Sequence, residues 1–400
     1  MKDTDNKFNP SLLKKEFVKI YGGKENEVRI FSAPARINII GEHIDYNGGK
    51  VLPAAIDKYL YVAVRLRPDT KVSYRDLKFP GFFDFDINDK FVFKKENDYA
   101  NYLNGVLSVL KRKSGLIKSG FDALIASDIP PAGGISSSSA LECGFAYAVN
   151  CLFNLNISRT DIALAGQESE HEFMNVKCGI MDQFIISTAK KDTAEFLDCA
   201  TLEFEYVPLK LGDCVFVVMN TNKKRQLADS KYNERRAQCE EGLKIIQKAG
   251  IEIPNLCALS PAEFEKCAGI IKDPVILSRV RHCVFENDRV LKAVKAFKEG
   301  GLHRVGELLK ASHKSLKEDY EVTGIELDTL TEAANAQEGC IGSRMTGAGF
   351  GGCAIALVSK DKTPSFVEAV QKAYTAVTGY DAGFFVCTPG DGVKEITDAL

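Results

Sequence analysis

Apolar residues along the chain recur either at every second position or at every third to fourth, and these periods predict strands and helices respectively. Residues 60–66 alternate apolar and polar side chains, which predicts a strand. Residues 214–219 are continuously apolar, which predicts a strand buried on both faces. Further strands are predicted at residues 28–31, 37–40, 51–55, 121–125, 353–358 and 383–387, and an edge hairpin at residues 78–95.

Helical spacing first predicts a short helix at residues 12–21, ended by a turn at Gly22 and Gly23. Other helices are predicted at residues 99–113, 162–173, 231–249, 261–267, 274–300 and 302–316. The chain after residue 208 begins with the apolar strand and is otherwise mostly helical. We therefore expect an α+β protein of two domains, residues 1–208 and 209–400, with its site in the cleft between them.

Length and charge exclude several classes of protein. Four hundred residues exceed the usual size of one hydrophobic core, which supports two domains. The formal net charge of −2 gives no electrostatic reason to expect nucleic acid or an anionic membrane as a partner. Apolar runs stay short of the roughly 20 residues that span a bilayer.

Cysteine usage indicates the compartment. Twelve cysteines are scattered singly, without a C-x-x-C pair, which argues against a zinc site. Residues 1–10 lack the apolar segment of a secretory signal. Both observations predict free thiols in a cytoplasmic protein.

The stretch at residues 128–142 combines two prolines, two glycines and four consecutive serines that lead into an apolar helix. Gly133 and Gly134 allow the backbone to bend closely, and the serines can cap the helix, donate to phosphate oxygens or supply an oxygen to Mg²⁺. A helix N-terminus offers unpaired N–H groups and a positive dipole end to an anion. An anion site and an ordinary Ser-rich helix cap both remain open here. The Walker A pattern is absent, because no Lys-Ser or Lys-Thr pair follows.

A polar loop follows the strand predicted at residues 37–40 and contains Glu42, His43 and Asp45 between flanking glycines. These groups at a strand end suit a polyhydroxylated ligand, because each carboxylate oxygen can accept a sugar O–H. A polar surface turn and a metal site are the alternatives. The metal site is the weaker of the two, because no third ligand lies at a recognisable spacing.

An acidic run and an isolated carboxylate follow in the next predicted helix and loop. Glu168, Glu170 and Glu172 stand at alternate positions of one helix, so at most one or two of them point inward. Asp182 lies among apolar residues, and a buried carboxylate needs a cation, a hydrogen-bond network or a catalytic role. A helix-capping role for Asp182 is the alternative.

A glycine-rich segment and a basic cluster lie in the second half of the chain. Five glycines between residues 342 and 352 indicate a backbone that approaches a ligand closely or adopts positive φ, although a plain hairpin explains many such loops. A basic cluster is interpreted as a solvated helix face in which Tyr232 can offer an O–H to a ligand; it comprises Lys223, Lys224, Arg225, Lys231, Arg235 and Arg236.

Taken together, these stretches resemble the galactokinase family of the GHMP superfamily. Residues 36–49 are similar to its sugar signature, residues 131–142 to the phosphate loop, and residues 342–352 to the third motif. Residues 178–184 and 232–240 also fit, so the resemblance spans nearly the whole chain.

The resemblance implies ATP-dependent phosphorylation of the anomeric hydroxyl of α-D-galactose, with ATP as co-substrate and Mg²⁺ as cofactor. It implies a monomer with an N-terminal domain that contains a left-handed βαβ unit, against the usual right-handed rule. The implied C-terminal domain is ferredoxin-like with added helices.

Residue roles follow from the same resemblance. It implies Asp182 as the catalytic carboxylate with Arg36 beside it. The implied sugar ligands are Glu42, His43, Asp45, Gly179, Asp182 and Tyr232. The implied phosphate-binding residues are Gly133, Gly134, Ile135, Ser136, Ser137 and Ser138, and the implied Mg²⁺ ligands are Ser137 and Glu170.

The chain departs from the family pattern at a few positions. Ala35 and Ala132 replace glycines, and Ser139 and Ala140 stand in transposed order. Ile44 is similar to the N-acetylgalactosamine kinase branch, so that activity is an alternative. Some relatives are galactose sensors that lack two residues after the serines, but here Ser139 and Ala140 are present, which favours an enzyme.

We predict that Glu170→Gln lowers activity far more than Glu168→Gln or Glu172→Gln. Alternate positions diverge on a helix, so only one of the three faces the phosphates, and the resemblance selects Glu170. Loss of an anionic ligand should also raise the Mg²⁺ concentration that gives the half-maximal rate. Rates measured over a Mg²⁺ series test both effects. Equal losses at all three positions would mean that the acidic run is a solvated face.

Overall fold

A computed structural model describes residues 8–130, 134–223 and 228–399 of the chain. The strands are β1 Arg29–Asn38, β2 Lys50–Val51, β3 Pro53–Leu66, β4 Lys71–Asp76, β5 Phe83–Asp86, β6 Phe121–Ser127, β7 Thr193–Asp198, β8 Phe204–Pro208, β9 Cys214–Asn220, β10 Cys340–Thr346, β11 Cys353–Ser359, β12 Gly383–Cys387 and β13 Lys394–Glu395. The α-helices are α1 Leu13–Tyr21, α2 Ala100–Ser114, α3 Ser137–Phe153, α4 Arg159–Glu172, α5 Met181–Thr188, α6 Ala228–Lys248, α7 Pro261–Cys267, α8 Pro274–Glu299, α9 Leu302–Glu318, α10 Gly324–Asn335 and α11 Thr363–Thr378.

The first half of the chain is built on a six-stranded sheet in the order β13-β1-β3-β6-β4-β5. Strands β4 and β6 are parallel and are joined through β5 and α2, while the other neighbours pair antiparallel. Helix α3 packs on β1 and β3, and helices α2, α4 and α5 pack against α3. The last strand of the chain thus returns to the first sheet.

Strand β3 buries both faces, because helices cover the sheet on either side. Val62 belongs to the large core, whereas Ala63 belongs to a second cluster with Leu13 and Phe17 of α1. The alternation at residues 60–66 therefore separates two apolar environments rather than an interior from solvent.

The second half contains a four-stranded antiparallel sheet in the order β10-β11-β9-β12. Helices α9 and α10 pack on β10, α8 packs on α9, and α11 packs on α10. Residues 216–219 of β9 are buried, which confirms the strand that was predicted from a continuous apolar run. Helix α9 lies very close to β10, because a Cβ at Gly306 would stand 2.1 Å from the carbonyl oxygen of Ile341.

Several predicted strand boundaries are wrong. The strands predicted at residues 28–31 and 37–40 form one strand, β1, which continues through Pro34. A register irregularity between Pro34 and Ala35 accommodates the missing N–H group. Residues 53–66 likewise form one strand, and the edge hairpin lies at residues 71–86 rather than 78–95.

These elements make up an α+β fold with two main sheets, as the sequence predicts. A third sheet, β2-β7-β8, joins the first half to α8, which packs against both β2 and β8. Within the part of the chain that the structure describes, no helix is both long and apolar enough to cross a membrane. The domain boundary between residues 208 and 209 stays a prediction.

Candidate active site

A cavity of ≈ 310 Å³ lies where the ends of β1 and β10 meet the first turns of α3 and α5. It is lined by Arg36, Glu42, His43, Asp45, Tyr102, Gly134, Ser136, Ser138, Ser139, Glu170, Val176, Cys178, Gly179, Met181, Asp182, Gln183, Tyr232, Gly347 and Ala348. Most of the residues that the sequence predicts for a site are therefore brought together here.

Two predicted phosphate-binding residues, Ile135 and Ser137, stand outside this lining. Ser137 is exposed at the first position of α3, and Ile135 is buried, with its carbonyl oxygen accepting from the Arg36 backbone N–H at 3.2 Å. Gly133 lies outside the described residues.

Arg36 and Asp182 form a two-point ion pair at the centre of the cavity. Nε and Nη2 of Arg36 each donate to one oxygen of Asp182, both at 2.7 Å. The Arg36 side chain is only 4% exposed, whereas that of Asp182 is 28% exposed. Burial opposes the guanidinium charge, but Asp182 outweighs this effect and the pKa of Arg36 is raised. Asp182 therefore has a cation and hydrogen bonds as partners, as expected for a carboxylate that lies among apolar residues.

Ser136 adds a third hydrogen bond to this carboxylate. Its hydroxyl donates to Oδ2 of Asp182, and its backbone adopts φ 63°, which is uncommon for a residue other than glycine. Arg36 reaches the same loop through Nη1, which donates to the carbonyl oxygen of Gly134 at 3.0 Å. A carboxylate accepts about four hydrogen bonds, so one site on Oδ1 remains available to a ligand.

Glu42 is engaged by protein groups on both oxygens. Asn38 Nδ2 donates to Oε2 at 2.6 Å, and the Gly347 backbone N–H donates to Oε1 at 2.7 Å. Arg344 of β10 approaches Oε1 at 3.2 Å, and both side chains of this ion pair are buried. Burial raises the pKa of Glu42, and the positive charges of Arg344 and Arg36 oppose this rise.

The sequence analysis assigned no role to Arg344. Its Nη1 donates to the carbonyl oxygens of Asn38 and Ile39, each at 3.0 Å, so it binds the end of β1 as well as Glu42. Its place inside the glycine-rich segment was the available signal.

His43 has both ring nitrogens occupied. Nε2 lies 3.2 Å from the carbonyl oxygen of Ala348, and Nδ1 lies 2.9 Å from the Tyr46 hydroxyl. Burial lowers the pKa of His43 to about 3, and the neighbouring His282 adds to this effect. The imidazole is therefore neutral at physiological pH.

Asp45 stands against Gly179 and depends on the missing side chain there. A Cβ at position 179 would lie 1.8 Å from Oδ2 of Asp45, so no larger residue fits without moving the carboxylate. Burial raises the pKa of Asp45 to about 7, and the negative charge of Asp182 adds to the rise. This carboxylate and the aromatic ring of Tyr232 form one side of the cavity.

The three glutamates on α4 point to different sides of the helix, as their spacing predicts. Glu170 is buried on the cavity wall. Glu168 pairs with Arg112 and Lys113, and Glu172 pairs with Arg112 at 2.9 Å, all on the outer side.

Glu142, one helical turn inside α3, is a buried carboxylate that the sequence analysis did not single out. Gln183 Nε2 lies 3.4 Å from its Oε2. Burial raises the pKa of Glu142 well above its usual value, and the charge of Glu170 contributes to the rise.

The interpretation of the basic cluster as a solvated helix face is wrong for Arg235. This side chain is 7% exposed and donates to the carbonyl oxygens of Tyr320, at 2.7 Å, and Glu321, at 3.2 Å. Arg236 Nη1 donates to the carbonyl oxygen of Lys177 at 2.7 Å and so links α6 to the loop before α5. Lys224 and Arg225 lie outside the described residues.

The chain is similar to known proteins along most of its length. The chain matches the family models named galactokinase galactose-binding signature at residues 15–66, GHMP kinases N terminal domain at residues 101–190, and GHMP kinases C terminal at residues 293–376. It is 47% identical over 386 residues to a galactokinase of Clostridium perfringens (strain SM101 / Type A), an alignment that covers 96% of this chain and 99% of the relative.

Solved structures agree with these matches. The structure of Lactococcus lactis galactokinase complexed with galactose is similar with a TM-score of 0.92 at 45% identity, covering 96% of this chain and 99% of that one. Methanococcus jannaschii mevalonate kinase is similar with a TM-score of 0.63 at 19% identity, covering 90% and 98% respectively. At that identity the likeness shows the fold alone.

We predict that Asp45→Asn raises the melting temperature more at pH 8 than at pH 5.5. The carboxyl keeps its proton up to about pH 7 in the folded protein but loses it near pH 4 in the unfolded chain. Wild-type stability therefore falls as pH rises between these values, and the neutral amide is spared that loss. Thermal unfolding followed at both pH values measures the difference. Glu241→Gln, at an exposed position on α6, is the control; a shift of equal size at both pH values would contradict the prediction.

Proposed function

The chain belongs to the galactokinase family of the GHMP kinases, and from this premise we propose how its residues carry out the ATP-dependent phosphorylation of galactose. The observation that carries the proposal is the ion pair between Arg36 and Asp182, which lies beside the N-terminus of α3. A carboxylate with one accepting site left thus stands next to a helix end that attracts phosphate.

Galactose binds in the cavity against the loop that follows β1. Asp45, with Gly179 behind it, accepts sugar hydroxyls, and Tyr232 lines the cavity beside it. Glu42 and His43 already bind protein groups, so they shape the sugar site chiefly by holding the loop and the glycine-rich strand end in place. Asp182 accepts a hydrogen bond from the hydroxyl that is phosphorylated.

ATP phosphates lie at the first turn of α3. Gly134 and Ser136 lead into this helix end, Ser137 and Ser138 form its first positions, and the helix dipole favours negative charge there. Gly133 completes the proposed phosphate loop by resemblance alone.

Glu170 on the cavity wall and Ser137 at the exposed first position of α3 offer oxygen donors that suit Mg²⁺. Among the described residues no cluster of three or more histidine, cysteine or acidic side chains is arranged to hold a metal ion. Mg²⁺ characteristically takes one or two carboxylates together with substrate phosphates, and Glu170 with Ser137 would be such a set. When bound, the ion would neutralise the charge on the transferring phosphoryl group.

Asp182 orients the attacking hydroxyl and accepts its proton. Arg36 holds the plane of the carboxylate through two hydrogen bonds, so the remaining site on Oδ1 has a defined direction. An ionised carboxylate is a weak base for an alcohol, so the hydroxyl is first oriented and its proton moves to Asp182 late in the transfer. Phosphoryl transfer depends more on positioning and charge than on covalent help, which suits this arrangement.

The protein is proposed to act as a monomer in the cytoplasm. The cysteines support that compartment, because all twelve lie within the described residues and none of them is joined in a disulfide.

We predict a higher kcat/KM for galactose than for N-acetylgalactosamine, with ADP released only when sugar is present. Coupled ADP release by the purified protein with each sugar measures this. A preference for the N-acetyl sugar would assign the chain to the alternative kinase branch. Binding of galactose and ATP without turnover would make it a sensor.

We predict that Asp182→Asn lowers kcat by at least ~10²-fold, the low end for loss of a positioned acid–base group. Galactose affinity should change much less, because the amide oxygen still accepts a hydrogen bond. Arg36→Lys should also be costly, since an ammonium cannot form the two-point contact. The double variant should lose less than the sum of the single losses, because the two residues act as one unit.

Kinetics and calorimetric galactose binding on both single variants and the double variant test this coupling. Asp361→Asn, on an exposed turn before α11, is the control. Purely additive losses would show that the residues work independently. Weaker galactose binding with unchanged kcat would reduce Asp182 to a sugar ligand.

A further inference from the structure

A chain of hydrogen bonds leads from a buried thiol on α6 to the imidazole in the sugar loop. The Cys239 sulfur lies 3.0 Å from the Tyr320 hydroxyl, which lies 2.9 Å from the Tyr46 hydroxyl. The Tyr46 hydroxyl in turn lies 2.9 Å from Nδ1 of His43, whose Nε2 lies 3.2 Å from the Ala348 carbonyl oxygen. Four separate segments of the chain thus meet in one line of polar contacts.

The Ala348 carbonyl at one end identifies the direction of each hydrogen bond in this line. A carbonyl oxygen only accepts, so Nε2 of His43 carries the proton and, in the neutral ring, Nδ1 must accept. Tyr46 therefore donates to Nδ1, which leaves its oxygen to accept from the Tyr320 hydroxyl. The Tyr320 oxygen then accepts from the Cys239 thiol, and all four side chains are satisfied in this arrangement only.

Most members of this line are shielded from water. Cys239 and Tyr320 are fully buried, His43 is 4% exposed, and Tyr46 is half-buried. Cys283 lies 3.7 Å from the Cys239 sulfur and can donate its own S–H to it. A missing donor in such a site leaves a buried acceptor unpaired, which is more costly than the same loss at the surface.

We propose that Tyr46, Tyr320 and Cys239 are positioning residues that hold His43 in its neutral Nε2–H tautomer. This tautomer binds the Ala348 carbonyl and so holds the glycine-rich end of β10 against the sugar cavity. The inference rests on the proposed galactose site and extends it to a thiol that lines no part of the cavity. Cys239 acts through two tyrosines and touches neither substrate.

The first test reads the tautomer of His43 directly. The chain has only five histidines, so protein labelled with ¹⁵N-histidine gives a resolvable long-range ¹H–¹⁵N spectrum, and a His43→Gln variant assigns the signal. We expect the Nε2–H tautomer in the wild-type protein. We expect loss of this single tautomer in Tyr46→Phe and Cys239→Ala, and its retention in Cys239→Ser, which keeps a donor.

The second test measures galactose kinetics on the same variants. Loss of one net hydrogen bond at Tyr46→Phe should raise the KM for galactose about 5- to 10-fold, with kcat little changed. Cys239→Ala should raise KM less, and Cys239→Ser should restore it. Cys387→Ala removes a buried thiol from β12 and controls for the loss of volume alone.

Three outcomes would overturn the proposal. They are an Nδ1–H tautomer in the wild-type protein, an unchanged tautomer and KM in Tyr46→Phe and Cys239→Ala, and equal effects of Cys239→Ala and Cys387→Ala. A lower melting temperature with an unchanged tautomer would likewise mean a merely structural role. Failure of the wild-type protein to phosphorylate galactose would instead refute the proposed function, because the spectrum of His43 does not depend on turnover.

Discussion

The structure depends above all on one buried ion pair between its two halves, that of Glu42 with Arg344. Arg344 is the largest fully buried side chain and also donates to two carbonyl oxygens at the end of β1. Removal of one partner from a buried pair typically costs about 3–5 kcal/mol, because the other charge stays behind unpaired. Such a pair does more for specificity of arrangement than for net stability, and here it sets the distance between β1 and the glycine-rich strand end.

Strand β1 transmits this constraint to the chemistry. Arg36 lies two residues before Asn38, whose carbonyl oxygen binds Arg344 and whose amide binds Glu42. The guanidinium that holds Asp182 is therefore on the same short, buried stretch of backbone that is tied to the second sheet. A similar tie follows along the loop, where the Gly41 N–H donates to Glu286 of α8 at 3.0 Å. The position of the proton-accepting carboxylate is thus decided by contacts made on both sides of the cleft.

The carboxylates of the cavity differ in whether an arginine compensates their charge. Glu42 is neutralised by Arg344, and Asp182 by Arg36. Asp45 lies beside Asp182 instead, and burial together with that negative charge raises its pKa to about 7. A sugar hydroxyl that donates to Asp45 would stabilise the charged form of this carboxyl, and the hydrogen bond would therefore contribute to binding.

The sequence by itself determined the fold class and the buried strand β9, because periodicity is a local property. Its short polar motifs pointed to residues that line the cavity, such as Glu42 and Asp45, but Ile135 and Ser137 lie outside that lining. The sequence also predicted that one glutamate of the acidic run would face inward, since helical geometry depends on spacing alone. Family resemblance placed Arg36 beside Asp182, but only the tertiary structure gives the two-point contact between them, the pairing of Arg344 with Glu42 and the burial of Arg235. These contacts join residues 85 or more positions apart, and no local pattern encodes which distant partner satisfies a charge. The merging of two predicted strands into β1 has the same cause, because pairing with β3 holds the backbone extended through Pro34 despite its local tendency to interrupt a strand.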